Sequence, residues 1–193
     1  MRIGIIGKGK VGTAIATGLT RAGHQVKHGH RDPNEPVADA AKWGEVVVLA
    51  VPYESTEDAA KAIRPFVEGK VVIDVTNAVG ENLNLLIGCT TSAAEEVQKM
   101  LPKARVVKAF NTVFAVNQSK GKVGKEQLTF FVAGDDAKAK QTVMQLGRDI
   151  GFESVDAGPL TSARYLEPMG ILLMKMAFVV GIETGIGFRL VKG

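Results

Sequence analysis

The residues best placed to do chemistry are three glycines near the start of the chain. Gly7-Lys8-Gly9-Lys10-Val11-Gly12 reads G-x-G-x-x-G and joins an apolar run, Arg2 to Ile6, to a stretch with helical periodicity. In that setting each glycine has its own task. Gly7 permits a sharp turn, Gly9 lets the backbone approach a pyrophosphate, and Gly12 lets the helix pack closely on the strand. The helix start then offers free N–H groups and the positive end of its dipole to an anion. A lone G-x-G-x-x-G is weak evidence, but the strand–turn–helix context favours a phosphate cradle over a glycine turn with no ligand. Lys8 and Lys10 add positive charge nearby, or else simply face solvent.

The end of the second strand should decide which dinucleotide binds. An Asp or Glu there would accept hydrogen bonds from the ribose hydroxyls of NAD. This chain instead reads His28-Gly29-His30-Arg31-Asp32. His30 and Arg31 suit a 2′-phosphate, and the planar guanidinium of Arg31 is the stronger ligand. One charge-assisted bond shifts preference by roughly ten- to a hundredfold. The expectation is NADP(H) over NAD(H). The alternative is that Arg31 is a solvated charge and Asp32 reads the ribose.

These residues must be positioned by alternating strands and helices. Val11, Ile15 and Leu19 recur at helical spacing up to Ala22, and Gly23 ends that helix. Strands are expected at His24–His28, Glu45–Val51, Lys70–Val75, Arg105–Phe110, Leu128–Ala133 and Glu153–Ala157. Ser55 is placed to cap a helix that Pro65 closes, and further helices run from Ser92 to Leu101 and from Asp135 to Ile150. A long apolar helix starts near Ala163. Continuous Val and Ile runs fit strands covered on both faces. The fold class is therefore α/β, a doubly wound, mostly parallel sheet with a short C-terminal helical element.

Composition agrees with this reading. The 193 residues are 46% hydrophobic and 23% charged, the balance of a globular domain rather than a disordered tail. A net charge of +4 favours anionic ligands but is too diffuse to argue for nucleic acid. One cysteine, Cys89, excludes an internal disulfide framework and suits a reducing compartment; it reads as a small buried residue. Met169 to Ile182 is shorter than a membrane span needs and contains Lys175, so a buried helix is expected. The expected setting is cytoplasmic, with no membrane partner. A helix apolar all round must bury both faces, which points to a homodimer.

The motifs GKGKVG, HGHRD, VPYE at Val51–Glu54, DVTN at Asp74–Asn77 and AFNT at Ala109–Thr112 together resemble one family. AGDD at Ala133–Asp136, DAGPL at Asp156–Leu160 and ARYLE at Ala163–Glu167 extend the likeness over nearly the whole chain. It is similar to the NADP oxidoreductases that include coenzyme F-420-dependent NADP reductases. The resemblance implies a Rossmann-type NADP-binding domain over residues 1–160 and a helical element over 161–193 for the acceptor cleft and dimerisation. It implies that Lys8, Gly9, Lys10 and Val11 hold the pyrophosphate, with Gly7 and Gly12 completing the cofactor-binding loop. His30 and Arg31 would meet the 2′-phosphate, and Pro52 and Tyr53 would line the wall below the nicotinamide ribose. Asn77, Ala78, Val79 and Ala115 would approach the nicotinamide, with Ile186 closing the site. His30 stands where the family usually has Ser, and Lys8 and Lys10 replace smaller residues.

The activity implied is hydride transfer between NADP(H) and a small-molecule acceptor, coenzyme F-420 (a deazaflavin) or a flavin. That chemistry asks the protein to hold two rings face to face and exclude water, with no general acid or base at the reacting carbons. The sequence shows no nucleophile–base order and no metal-ligand spacing. Phe110 and Phe114 read as core residues, with a place beside the acceptor ring as the alternative. Lys120, Lys122 and Lys125 read as a solvated loop. Asp135 and Asp136 read as helix-capping residues, and Arg164 and Glu167 as a pair at a helix start. Reduction of a ferric chelate, imine or hydroxy acid, and a non-catalytic NADP(H) sensor, remain open alternatives.

Overall fold

The computed structural model describes residues 1–191 and 193. Strand β1 (Arg2–Ile6) leads into α1 (Lys10–Arg21), β2 (Gln25–Gly29), α2 (Val37–Trp43), β3 (Val46–Leu49) and α3 (Thr56–Ile63). There follow β4 (Val71–Asp74), α4 (Ala93–Met100), β5 (Arg105–Lys108) and the single-turn α5 (Ala115–Gln118). A small hairpin, β6 (Lys122–Val123) and β7 (Glu126–Gln127), precedes β8 (Thr129–Gly134), α6 (Ala137–Ile150), β9 (Glu153–Asp156) and α7 (Ala163–Phe178).

Seven strands form one sheet in the order β2-β1-β3-β4-β5-β8-β9. The first five run parallel, β8 is antiparallel to β5, and β9 runs parallel to β8. Successive side chains on a strand face opposite sides, so each strand feeds two cores. On one side Ile3, Ile5, Val48, Ile73 and Val107 meet Ile15 and Leu19 of α1 and Val143 and Leu146 of α6. On the other, Ile6, Val47, Leu49 and Val72 meet Ala40, Ile63, Val97 and Ala163 of α2, α3, α4 and α7. Each fully buried aliphatic side chain contributes about 1.5–3 kcal/mol. Phe110 is buried and packs edge-on against Phe130 at 4.5 Å, a core residue as read from the sequence.

Several local expectations are corrected. Ser55 does not cap α3, because a tight turn at Tyr53–Ser55 already starts the helical path after Pro52. Its hydroxyl instead accepts from Arg31 Nη2 at 3.3 Å. Asp136 does cap α6, accepting from Ala139 N–H at 2.7 Å, but Asp135 accepts from Leu160 N–H at 2.9 Å and anchors a different loop. Lys122 lies in the β6–β7 hairpin, not in an irregular loop. Cys89 is exposed, not buried. The helix α2 escaped the sequence reading because it is short and has no side-chain cap, although it buries Ala40 and Ala41.

Arg164 and Glu167 are not a pair. Arg164 makes a bidentate bond to Glu95 on α4, at 2.6 and 2.9 Å, and Glu167 turns inward. There its carboxylate lies 2.8 Å from Nζ of the fully buried Lys108, which also donates to Asp74 at 2.8 Å and to the Thr76 carbonyl. Glu167 further accepts from Ala93 and Ala94 N–H at 3.0 and 3.2 Å, closing the N-terminus of α4. Asp74 also accepts from Thr76 N–H and its hydroxyl at 3.1 and 2.8 Å. Burial works against the Lys108 ammonium, but the charges of Asp74 and Glu167 outweigh it and hold its pKa above the ordinary lysine value.

Met169–Ile182 does not bury both faces within one chain. Leu173 and Ala177 face the core, whereas Leu172, Phe178, Val179 and Val180 are exposed. Among the described residues no helix is long and apolar enough to cross a membrane.

Removing the buried ammonium strands two carboxylates in a dry site. Lys108→Met should lower the unfolding free energy by about 3–5 kcal/mol in a urea titration. Lys61→Met, which breaks an exposed helical pair with Glu57, should leave the midpoint nearly unchanged. Equal responses from the two variants would show that the buried cluster has no special weight.

Candidate functional site

The glycine turn sits between the ends of β1, β2 and β3. Gly7 adopts φ +112, a conformation that side chains disfavour, and a Cβ there would lie 2.1 Å from the Ala50 carbonyl. Its N–H donates to Gly29 O at 2.8 Å, and its carbonyl lies 3.1 Å from His28 Nδ1. Gly12, one turn into α1, would place a Cβ 2.6 Å from Gly7 O. These two positions are required by the protein itself. Gly9 differs: its backbone is ordinary, at φ −75, and a Cβ there would meet nothing within 4 Å. Among the described residues, none stands close enough to require a glycine there.

Gly9 is also the N-cap of α1, which has no side-chain cap and no acidic residue in its first turn. The first N–H groups of the helix therefore keep their hydrogen-bonding capacity, and no carboxylate in that turn offsets the dipole. Lys10 is exposed and Val11 half-buried beside this open start.

The loop after β2 forms the adjoining rim. Its backbone is closed by His30 N–H to Glu35 O at 2.8 Å and Glu35 N–H to Asp32 O at 2.9 Å. Asp32 Oδ1 accepts from the N–H and side chain of Asn34 at 2.9 and 3.1 Å, which ties the carboxylate to its own loop. Arg31 is exposed and reaches Ser55, which brings the rim against the Pro52–Tyr53 turn. Tyr53 is half-buried, and burial together with Glu96 and Glu167 raises its phenol above the usual value. Lys8 does not point freely at the loop: its Nζ donates to both oxygens of Glu35 at 2.9 Å. His30 Nε2 lies 2.7 Å from the same carboxylate. Hydrogen bonding to Lys8, and less strongly to His30, holds the Glu35 pKa below the ordinary range, with partial burial opposing it. Glu35 went unread in the sequence; the signal was a carboxylate closing a short loop that opens with two basic residues.

At the heads of β4 and β5, Asn77 and Asn111 lock each other. Asn77 Nδ2 donates to the Asn111 carbonyl at 3.0 Å, and Asn111 Nδ2 donates to Asn77 Oδ1 at 3.0 Å and Leu166 O at 2.7 Å. Gly170 of α7 packs directly over this pair, where a Cβ would come within 2.9 Å of the Asn77 amide. Ala78 is fully buried and Val79 half-buried, pairing with Leu85. Ala115 begins α5, and Ile186 is tied nearby through Asn117 Nδ2, which donates to its carbonyl at 3.1 Å. The structure thus gathers Gly7–Gly12, His30, Arg31, Pro52 and Tyr53 along one rim, with Asn77 and Val79 at β4 and Ala115 and Ile186 beyond β5. Asn111 joins them, unread in the sequence because its partners lie 34 and 55 residues away.

A parallel sheet whose first turn is a glycine loop at an open helix start defines the Rossmann class of α/β proteins. Residues 2–37 and 34–78 match the family described as NADP oxidoreductase coenzyme F420-dependent, in line with the likeness read from the motifs. The F420-dependent NADP reductase of Methanocaldococcus jannaschii is 34% identical over 143 residues, covering 70% of this chain and 63% of that protein. Metalloreductase STEAP3 of Rattus norvegicus is 28% identical over 186 residues, covering 90% of this chain but 37% of that protein. The chain therefore spans less than two-thirds of either curated relative. A crystal structure from an Arthrobacter species, provisionally described as an F420-dependent NADP reductase, superposes with a TM-score of 0.91 over the whole of both chains at 28% identity.

The glycine geometry separates stability from binding. Gly12→Ala should lower stability by about 1–3 kcal/mol, because backbone must move to admit the methyl group. Gly9→Ala should leave stability unchanged or raise it by up to about 1 kcal/mol. Urea midpoints decide; comparable losses in both variants would mean that the protein itself requires Gly9.

Proposed function

We propose that the protein is an NADP(H)-dependent oxidoreductase that moves hydride between NADP(H) and a planar acceptor of the deazaflavin (coenzyme F-420) or flavin type. The observation that carries this reading is the open start of α1 at Gly9 beside a cationic rim. An uncapped helix N-terminus with an approachable glycine fits a pyrophosphate, and Arg31 and His30 at the end of β2 fit a 2′-phosphate. Bound NADPH supplies the hydride. The chain's part is to hold and to exclude water: Gly7–Gly12 would seat the pyrophosphate, and Pro52 and Tyr53 would support the ribose. Asn77, Ala78, Val79, Ala115 and Ile186 would border the nicotinamide, with Asn77 fixed in place by Asn111.

On this reading residues 1–160 form the cofactor-binding domain, and residues 161–193 wall the acceptor cleft and pair with a second copy. The exposed Leu172, Phe178, Val179 and Val180 supply an apolar surface for that pairing. The setting proposed is cytoplasmic. A second reading, reduction of ferric chelates through a flavin, is favoured by the likeness to a metalloreductase along 90% of this chain.

Two measurements test the proposal. Wild-type protein should bind NADPH more tightly than NADH, and Arg31→Ala should reduce that preference roughly ten- to a hundredfold in a calorimetric titration. Absorbance at the NADPH band should fall when coenzyme F-420 or a flavin is added, whereas no turnover with those acceptors or with ferric chelates would leave a binding protein rather than an enzyme. Light scattering at micromolar concentration should give the mass of two chains, and Phe178→Asp should halve it; a wild-type monomer would refute the pairing.

A further inference from the structure

We propose that Glu35 is a specificity-determining residue, an internal anion held by Lys8 that competes with the adenosine 2′-phosphate for His30. The inference rests on the NADP(H) reading above and goes beyond it, because it sets the size of the preference rather than its existence. Two observations support it, taken together with the proposed place of the 2′-phosphate. The carboxylate accepts from Lys8 with both oxygens at 2.9 Å and lies 2.7 Å from His30 Nε2. His30 and its neighbour Arg31 are the residues proposed to meet the 2′-phosphate. The contact is also built in, since the loop pins Glu35 through its own N–H and carbonyl, at 2.9 and 2.8 Å.

The charges facing this carboxylate explain what it does. Lys8 comes from the glycine loop, and His30, Arg31 and Asp32 come from its own loop. Asp32 Oδ1 is bonded to Asn34, and Glu35 is the acid in direct contact with both Lys8 and His30. A dianionic phosphate approaching His30 and Arg31 meets this like charge at hydrogen-bonding range. It must either displace the carboxylate or bind against its repulsion. With its side chain 38% exposed, Glu35 has a route outward into water. A dinucleotide that carries only ribose hydroxyls meets no such conflict. Glu35 therefore weakens NADP(H) selectively and narrows the gap to NAD(H).

The test titrates NADP⁺, NAD⁺ and the fragment 2′-AMP into wild type, Glu35→Gln and Arg31→Ala. The glutamine keeps the shape and can still accept a bond from Lys8, so folding should be unaffected, which a thermal melt verifies. Glu35→Gln should tighten NADP⁺ and 2′-AMP by about five- to tenfold and leave NAD⁺ within about twofold. The gain should shrink in high salt, as expected for a charge effect near the surface. Unchanged affinities, or weaker NADP⁺ binding, overturn the inference. So does a selective loss of NAD⁺ affinity, which would mean that Glu35 reads the ribose hydroxyls. If Arg31→Ala lowers the preference while Glu35→Gln does nothing, the inference fails and the cofactor reading stands. If wild type shows no preference for the phosphorylated ligands and Arg31→Ala changes nothing, the cofactor reading fails and the inference with it.

Discussion

A lysine ammonium enclosed by two carboxylates ties together the ends of two central strands and two helices. Lys108 ends β5, Asp74 ends β4, and Glu167 reaches in from α7 while closing the start of α4. Four elements from distant parts of the chain thus share one polar junction. Replacing a buried ion cluster by apolar groups of the same volume can be neutral, so the cluster is no proof of stability in itself. Its importance is geometric. Charges in a low-dielectric site tolerate little misplacement, and satisfying all of them demands one arrangement of β4, β5, α4 and α7.

The residues next to this junction inherit its rigidity. Asn77 lies three positions after Asp74 and Asn111 three after Lys108, and the two amides bond across the gap. Leu166, beside Glu167, accepts the remaining Asn111 proton. One end of the proposed cleft is therefore set by the buried cluster, and the other by the glycine turn between β1, β2 and β3. The structure couples them through the shared parallel register of β1, β3, β4 and β5.

Most of the architecture was legible in the sequence because its signals are local. Continuous Val and Ile runs marked β3, β4 and β5, helical spacing marked α1, and the glycine loop marked the turn. What escaped depends on tertiary partners. Arg164 and Glu167 stand three apart and look like a pair, yet each finds a better partner on another element. Helix α2 is too short to leave a strong period. Lys108 was the readable exception that went unread: a lysine in the otherwise buried strand RVVKAF requires a carboxylate, and Asp74 stands in register with it on β4. The rim at 30–35 was read for its cations and not for the acid that engages them, because loop closure sets that contact. Exposure of Cys89 and of one side of α7 was likewise invisible to a pattern that records only apolarity.

The glycine turn and the neighbouring rim are built from different materials. At Gly7 and Gly12 backbone meets backbone, and no side chain can be introduced without moving the sheet. Between His30 and Glu35 the surface is made of exposed or half-exposed side chains on a loop whose closure uses main-chain bonds. Evolution can consequently retune that rim by single substitutions, changing its charge and shape while the frame beneath stays fixed. Closely similar folds can diverge in the nucleotide they accept long before their sheets diverge at all.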